Sequence, residues 1–363
     1  MQQFNHTFLP SVAWENADAN QEWFYTCLMR ITYRLLPQGH GPSQRWTLQV
    51  SPEQGRLFAA DTYQEDDPNQ VLRYESDFIT HKPHTDVVFN ANTYAPSGQP
   101  ENQWHCGVEV LSEQGERLND LHLTVKGERD WTQGPLGWRK TSLRPVSQVR
   151  LSYGLAEGGK VLNLDPKAKE SYWTIDEQNP VGTGIKHNEM PTNDFPVAQV
   201  YWRHLRDSLQ GVPPGLGFID RCWKVRYQLA GTYDEAWLEE QHPYLPEDFN
   251  DQYQQAAQPK LIAKGYLQPG CQFKLLALAP NYPELTVTLP RLYAFAELMD
   301  STQRRHRYKL EIDTILFDID APDMADWRVY VSYRRRIAKK QTMTACHFHY
   351  LPTQWRQQEH SDG

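Results

Sequence analysis

Tyr25-Thr-Cys-Leu-Met-Arg-Ile-Thr-Tyr-Arg-Leu35 sets the fold class. Its odd positions, Tyr25, Cys27, Met29, Ile31, Tyr33 and Leu35, form one apolar stripe with the period of two that a half-buried strand requires. The same alternation recurs outward from it. Trp46, Leu48 and Val50 begin a second stripe, and Val87, Phe89 and Ala91 a third. Beyond the Pro96-Ser97-Gly98 turn, Trp104, Cys106, Val108 and Val110 share a face, and beyond Gly115 so do Leu121, Leu123 and Val125. Turns this short predict that the last three are antiparallel neighbours. Val149, Leu151 and Tyr153 read as one more strand.

Alternation returns late in the chain with Phe273, Leu275 and Ala277, then Leu285, Val287 and Leu289. Tyr308, Leu310 and Ile312 alternate on even positions, but Ile315, Phe317 and Ile319 on odd ones, which predicts a bulge near Thr314. Trp327, Val329, Val331 and Tyr333 complete a hairpin. Between these strand-rich halves, Gly154 to Asp220 is so punctuated by glycine and proline that long regular elements are not expected, apart from a helix over Val197 to Gln210. The expected fold is mainly β, with antiparallel, sandwich-like sheets, a few short helices and a long loop-rich middle; α+β is the alternative. The chain divides into a β-rich lobe (1–153), a connector (154–222), a second β-rich lobe with two short helices (223–352) and a polar tail (353–363). The sequence leaves open whether the lobes form one domain or two.

The 363 residues suffice to bury about three quarters of the unfolded surface. With 12 Trp, 19 Tyr and 13 Phe, aromatic rings can carry a core of otherwise modest apolar content. The absence of a long apolar run and of a basic, apolar start predicts a soluble chain with no membrane span and no cleaved export signal. Five widely spaced cysteines without a Cys-x-x-Cys pair fit a reducing cytoplasm. A net charge of -8 argues against nucleic acid as a partner. The runs Arg304-Arg305-His306-Arg307 and Arg334-Arg335-Arg336 read as solvated strand ends.

A search for chemistry finds no site. His347 and His349 share a face but lack a third metal ligand nearby in sequence, and His81 and His84 are a second such pair. Asp318, Asp320, Asp323 and Asp326 lack the glycine and closing glutamate of a calcium loop. No nucleophile elbow or phosphate-cradling loop is present, and Cys222 has no neighbouring histidine. Catalytic residues, cofactor and metal are therefore each expected to be none. At Gly231-Thr-Tyr-Asp-Glu-Ala-Trp237 the sequence predicts a capping box from Thr232 to Glu235. A short helix with Tyr233, Trp237 and Leu238 near one face follows, and a second helix lies near Phe249 to Ala256.

Several motifs occur in fixed order: Lys82-Pro83-x-x-Asp86-Val87-Val88, Leu151-Ser-Tyr153 with Gly158-Gly159, Asn179-Pro180-Val181-Gly182-x-Gly184, Gly215-Leu-Gly217-Phe-Ile219, Trp223-x-x-Arg226, Gly231 to Trp237, and Leu245-Pro-Glu-Asp-Phe249. Together they resemble domain-of-unknown-function family 2169, found in bacteria beside type VI secretion genes. The chain departs from the family at Gln258-Pro259-Lys260-Leu261, where Pro-Pro-Asp-Gln usually follows the paired alanines.

The resemblance implies a cytoplasmic, non-enzymatic adaptor or chaperone that binds a toxic effector, a PAAR-type tip or a spike protein and helps load the effector onto the spike. An adaptor needs aromatic anchors on an apolar surface. Tyr172, Trp173, Trp202 and Phe218 are the first candidates, with Tyr233, Asp234 and Trp237 of the capped helix beside them. If these rings lie at the surface, replacing Trp202 or Trp173 by Ala leaves stability nearly unchanged. The other readings are a β-sandwich hydrolase or lyase acting on cell-wall or other polysaccharide, and an immunity protein that neutralises the toxin.

Overall fold

The stripe from Tyr25 to Leu35 falls on one long strand of a computed structural model, which describes residues 1–38, 45–163, 172–183, 196–208 and 211–352. In chain order the first strands are β1 (Gln2–Asn5), β2 (Ser11–Ala17), β3 (Trp23–Gln38), β4 (Arg45–Val50), β5 (Thr62–Tyr63), β6 (Leu72–Tyr74), β7 (Asp86–Tyr94), β8 (Gln103–Leu111), β9 (Arg117–Lys126), β10 (Trp131–Gly134), β11 (Gly137–Lys140) and β12 (Gln148–Arg150). The loop-rich middle holds β13 (Lys160–Asn163), β14 (Tyr172–Ile175) and β15 (Val200–Trp202). After it come β16 (Gln272–Ala279), β17 (Tyr282–Thr288), β18 (Leu292–Asp300), β19 (Arg305–Lys309), β20 (Glu311–Ile319), β21 (Arg328–Ala338) and β22 (Met343–Pro352). Three helices among the described residues are short: α1 (Leu205–Ser208), α2 (Lys224–Tyr227) and α3 (Glu235–Glu240). The fold is mainly β, with mostly antiparallel sheets and no barrel.

The largest sheet runs β12-β7-β20-β21-β3-β2, with β4 also paired to β3; a five-stranded sheet runs β15-β9-β8-β16-β17, and a four-stranded one β1-β22-β18-β19. Each of the two larger sheets takes strands from before and after the loop-rich middle, and one core cluster contains residues from Leu9 to Phe348. The odd face of the large sheet meets the other two. Phe317 stacks on Phe89 at 4.6 Å and meets Phe273 of β16 edge-on at 4.9 Å. The Thr93 hydroxyl donates to the Ala277 carbonyl at 2.8 Å and accepts the Trp104 indole N–H at 2.9 Å, so the polar groups at this seam satisfy one another. Tyr25 and Tyr333 bond the backbone of the four-stranded side, at Met343 and Leu292.

Four expectations are corrected. β8 and β9 pair antiparallel, but β7 leaves them and runs parallel to β20 in the large sheet, with Val87 opposite Ile315. Val87, Val88 and Phe89 are all buried, and such a continuous apolar run belongs inside a sheet covered on both faces, not in a meander with one wet side. β3 is likewise covered on both faces, since Thr26, Leu28, Arg30 and Thr32 are buried as well as the odd stripe. The helix expected over Val197 to Gln210 is instead β15 followed by the single turn α1, because pairing of Val200 with Val125 of β9 overrides the local period; residues 209–210 lie outside the described part. The helix expected near Phe249 is a 3₁₀ turn, Asp251–Gln254, capped by the Asn250 side chain. β18 is an additional strand, its stripe of Leu292, Ala294, Ala296 and Leu298 weakened by two small residues.

The bulge appears where the parity switch requires it. Pairing of β20 with β21 passes from Ile312 opposite Tyr333 to Thr314 opposite Ser332, leaving Asp313 as the extra residue. Its carboxylate is buried and bonds the buried Arg334 guanidinium. Removing one member of such a pair strands the other charge in the interior. Asp313→Ala is therefore expected to lower unfolding free energy by about 3–5 kcal/mol, measured by urea denaturation, with a smaller loss when Arg334 is replaced by Met at the same time.

Candidate functional site

The even face of the large sheet carries the buried polar residues Thr26, Arg30, Thr32, Ser332 and Arg334 beside Leu28, Val88 and Leu316, beneath the segment from Ser51 to Thr85 and the loop from Gly215 to Arg226. Lys82 lies between Asp86 at 2.6 Å and Glu75 at 3.2 Å, all three buried. Asp86 also accepts the Gln255 side chain at 2.5 Å and the Ala256 amide at 2.8 Å. Arg226 bonds Glu75 at 2.7 Å and donates to the Ile219 and Tyr253 carbonyls. Burial alone would raise the Glu75 carboxyl, but Arg226, Lys82 and Arg221 outweigh it and hold the group down at about 2. Arg30 pairs with Asp77 at 2.5 Å under the rings of Phe58 and Tyr330. The Lys-Pro-x-x-Asp and Trp-x-x-Arg motifs thus converge on one charge network that ties the covering layer to the sheet.

Tyr153 is the centre of a second convergence. Its hydroxyl donates to the Gly217 carbonyl at 3.1 Å, Trp223 meets its ring edge-on at 5.2 Å, and the Asn179 side-chain amide donates to its carbonyl at 3.0 Å. A Cβ on Gly215 would lie 2.3 Å from the Tyr153 ring, so only glycine lets the loop pass. Gly159, at φ +70°, would put a Cβ 2.2 Å from the Gly182 carbonyl. Four motifs scattered between Leu151 and Arg226 are thus one scaffold.

Beside this scaffold, along the outer edge of β15, a cleft of about 330 Å³ is lined by Val200, Tyr201, Trp202, Leu205, Val212 and Pro213, with Glu157, Asp176 and Asn179 on its other wall. Trp202 is half-buried against the core, and its indole N–H donates to the Val212 carbonyl at 3.1 Å. Leu205 stands at the mouth, 82% exposed. The side-chain oxygen of buried Asn179 has no hydrogen-bond partner among the described residues.

The remaining candidates scatter. Phe218, only 3% exposed, belongs to the core and presents no surface to a partner. Tyr172 and Trp173 lie on β14, but their side chains are outside the described part. Tyr233 is 53% exposed and meets Trp237 edge-on at 4.7 Å, while the Trp237 indole N–H bonds the Tyr244 carbonyl. Leu238 does not share a buried face with them and is 60% exposed. The cap is Asp234, not Thr232: Asp234 accepts the Trp237 amide at 2.9 Å, whereas the Thr232 amide and hydroxyl both go to the Asp248 carboxylate. That tertiary partner displaces the local capping box.

The other constellations resolve into structural pairs. Arg73 neutralises Asp318 and Asp320, and Asp323 caps the Ala325 amide. Arg305 faces Glu297, Arg334 faces Asp313 and Arg336 faces Asp18, which breaks up the basic runs. All five cysteines are free thiols, and burial with Asp220 raises Cys222 instead of activating it. Tertiary structure brings His6 between His347 and His349, with centroids 5.1 and 4.9 Å away and ring planes nearly parallel, and His6 Nε2 lies 2.8 Å from His347 Nδ1. No group of three ligands that could hold a metal occurs among the described residues. No helix among them is long and apolar enough to cross a membrane.

A family model described as an uncharacterized protein conserved in bacteria (DUF2169) matches residues 21–334, from the turn before β3 to the arginine that pairs with Asp313. No curated protein and no solved structure matches the chain.

Burial, together with His6 beside them, pushes His347 and His349 below the usual imidazole range. The unfolded chain therefore takes up their protons first as pH falls, so the stability of the neutral stack is full above about pH 6.5 and is lost on acidification below it. The urea midpoint is expected to fall between pH 7.5 and pH 5, and His6→Gln should make that fall shallower.

Proposed function

This chain belongs to the bacterial family DUF2169, and from that premise we propose that it is a non-enzymatic adaptor of the type VI secretion system. It binds a toxic effector, a PAAR-type tip or a spike protein in the cytoplasm of the producing cell and helps load the effector. The type VI assignment rests on the resemblance carried by the motifs from Lys82 to Phe249. Support for a binding role comes from one observation above all: the cleft beside β15, in which an indole is fixed by its hydrogen bond to Val212 and a leucine stands exposed at the mouth. A rigid aromatic wall next to exposed apolar area is what a partner side chain needs to displace water at low entropic cost.

Coexpression with the products of neighbouring genes tests this reading. A stable complex with an effector, tip or spike protein is expected. Leu205→Asp should weaken it at least about tenfold while leaving thermal unfolding nearly unchanged, because the side chain is exposed. Trp202→Ala is the poorer probe, since it also removes the indole bond and contacts with the core. Failure of all such products to associate, or glycan turnover by the isolated chain, would overturn the proposal.

A further inference from the structure

Three cations gather around Tyr201 and Glu157, two of the residues that line the cleft. Lys126 lies 4.7 Å from the centroid of the Tyr201 ring, Arg129 reaches the Tyr201 hydroxyl at 3.3 Å, and Lys140 lies 4.0 Å from Glu157. Among the described residues Glu157 is the carboxylate that faces these three cations, because the nearby Glu128 and Asp130 are engaged by Arg144. Asp176, on the opposite wall, accepts the Gln178 amide. Burial, with Arg129 close by, pushes both lysines below the ordinary lysine range despite Glu157. The Arg129 Nε is buried with no hydrogen-bond partner among the described residues.

Strand geometry adds a second feature. Bonds from the Lys126 amide to the Gln199 carbonyl and from the Arg203 amide to the His122 carbonyl fix the pairing of β15 with β9. Alternation then turns the backbone groups of Tyr201 toward β9 and those of Trp202 toward the cleft. Val200 on the same edge is already bridged to Ala156, so a chain entering the cleft would find the backbone donor and acceptor of Trp202, beside an apolar wall and near the cations around Tyr201.

We propose that the cleft takes an extended acidic segment of the partner protein, with a carboxylate against Lys126, Arg129 and Lys140 and a neighbouring apolar side chain against Trp202 and Val212. This deepens the adaptor reading and rests on it. The whole chain carries a net charge of -8, so a local cationic pocket is also what selects such a segment against general repulsion.

The probe is a fluorescein-labelled, capped hexapeptide alternating glutamate and leucine, titrated into the full chain and followed by anisotropy. Binding that weakens with added salt is expected. A lysine–leucine peptide and a glutamate–serine peptide should each bind at least about tenfold more weakly. Combined Lys126→Gln, Arg129→Gln and Lys140→Gln should cost the glutamate–leucine peptide at least about tenfold. Glu157→Gln should tighten it, a gain that misfolding cannot mimic. No binding of the glutamate–leucine peptide, equal binding of the lysine–leucine peptide, or indifference to all four substitutions would overturn the proposal. An effector complex that forms and survives the triple neutralisation would sink this inference and leave the adaptor reading standing; absence of any complex would sink the adaptor reading instead.

Discussion

The buried contact of Lys82 with Asp86 and Glu75 is the constraint on which the rest depends. Each ion withdrawn from water costs several kcal/mol unless it is matched and hydrogen-bonded, so the folded state has little latitude in where these groups lie. Satisfying Glu75 requires Arg226, satisfying Asp86 requires Gln255 and the Ala256 amide, and these come from a stretch far along the chain. The register of the covering layer on the sheet is therefore set by charge pairing, and apolar packing on the opposite face fills in around it. The Asp313 bulge belongs to the same logic, since one extra residue turns a carboxylate toward Arg334.

That constraint shapes the surface indirectly. Anchoring Arg226 fixes α2 and Trp223, whose indole braces Tyr153, and Tyr153 in turn holds the Gly215 loop and Asn179. Val212 and Pro213, which line the cleft beside β15, lie immediately before that loop. A chain of rigid contacts thus runs from a buried ion pair to an exposed apolar mouth. Sites that bind by shape need such support, because a wall able to relax away from a ligand loses the entropic advantage of being preformed.

The division of labour among the ordered motifs follows from this geometry. Lys82, Asp86, Tyr153, Gly215, Trp223 and Arg226 are buried or packed and serve the scaffold. Leu205, which lines the cleft, and Lys140 and Arg129, which contact its lining residues Glu157 and Tyr201, come from outside those motifs. Within α3, Asp234 is spent on the helix cap and Trp237 on Tyr244, which leaves Tyr233 and Leu238 as the exposed apolar groups there.

The sequence by itself determined the mainly β character, the faces of β3, β16, β17 and β21, and the bulge in β20. Each of these follows from side chains alternating across a strand, which is a local property of the backbone. Local reading also named Trp202 as a candidate anchor, though it placed that residue on a helix. It could not find the partnership of β7 with β20, the conversion of the expected Val197 helix into β15, or the replacement of Thr232 by Asp234 as cap. In each case a contact distant in sequence outcompeted a local preference of comparable size: an apolar run seeking burial on both faces, a valine pairing with β9, a carboxylate at Asp248. The same holds for Phe218, whose aromatic character is equally good in a core or at a surface. Only tertiary structure decided between them, because burial is a property of the assembled sheets and not of any one residue.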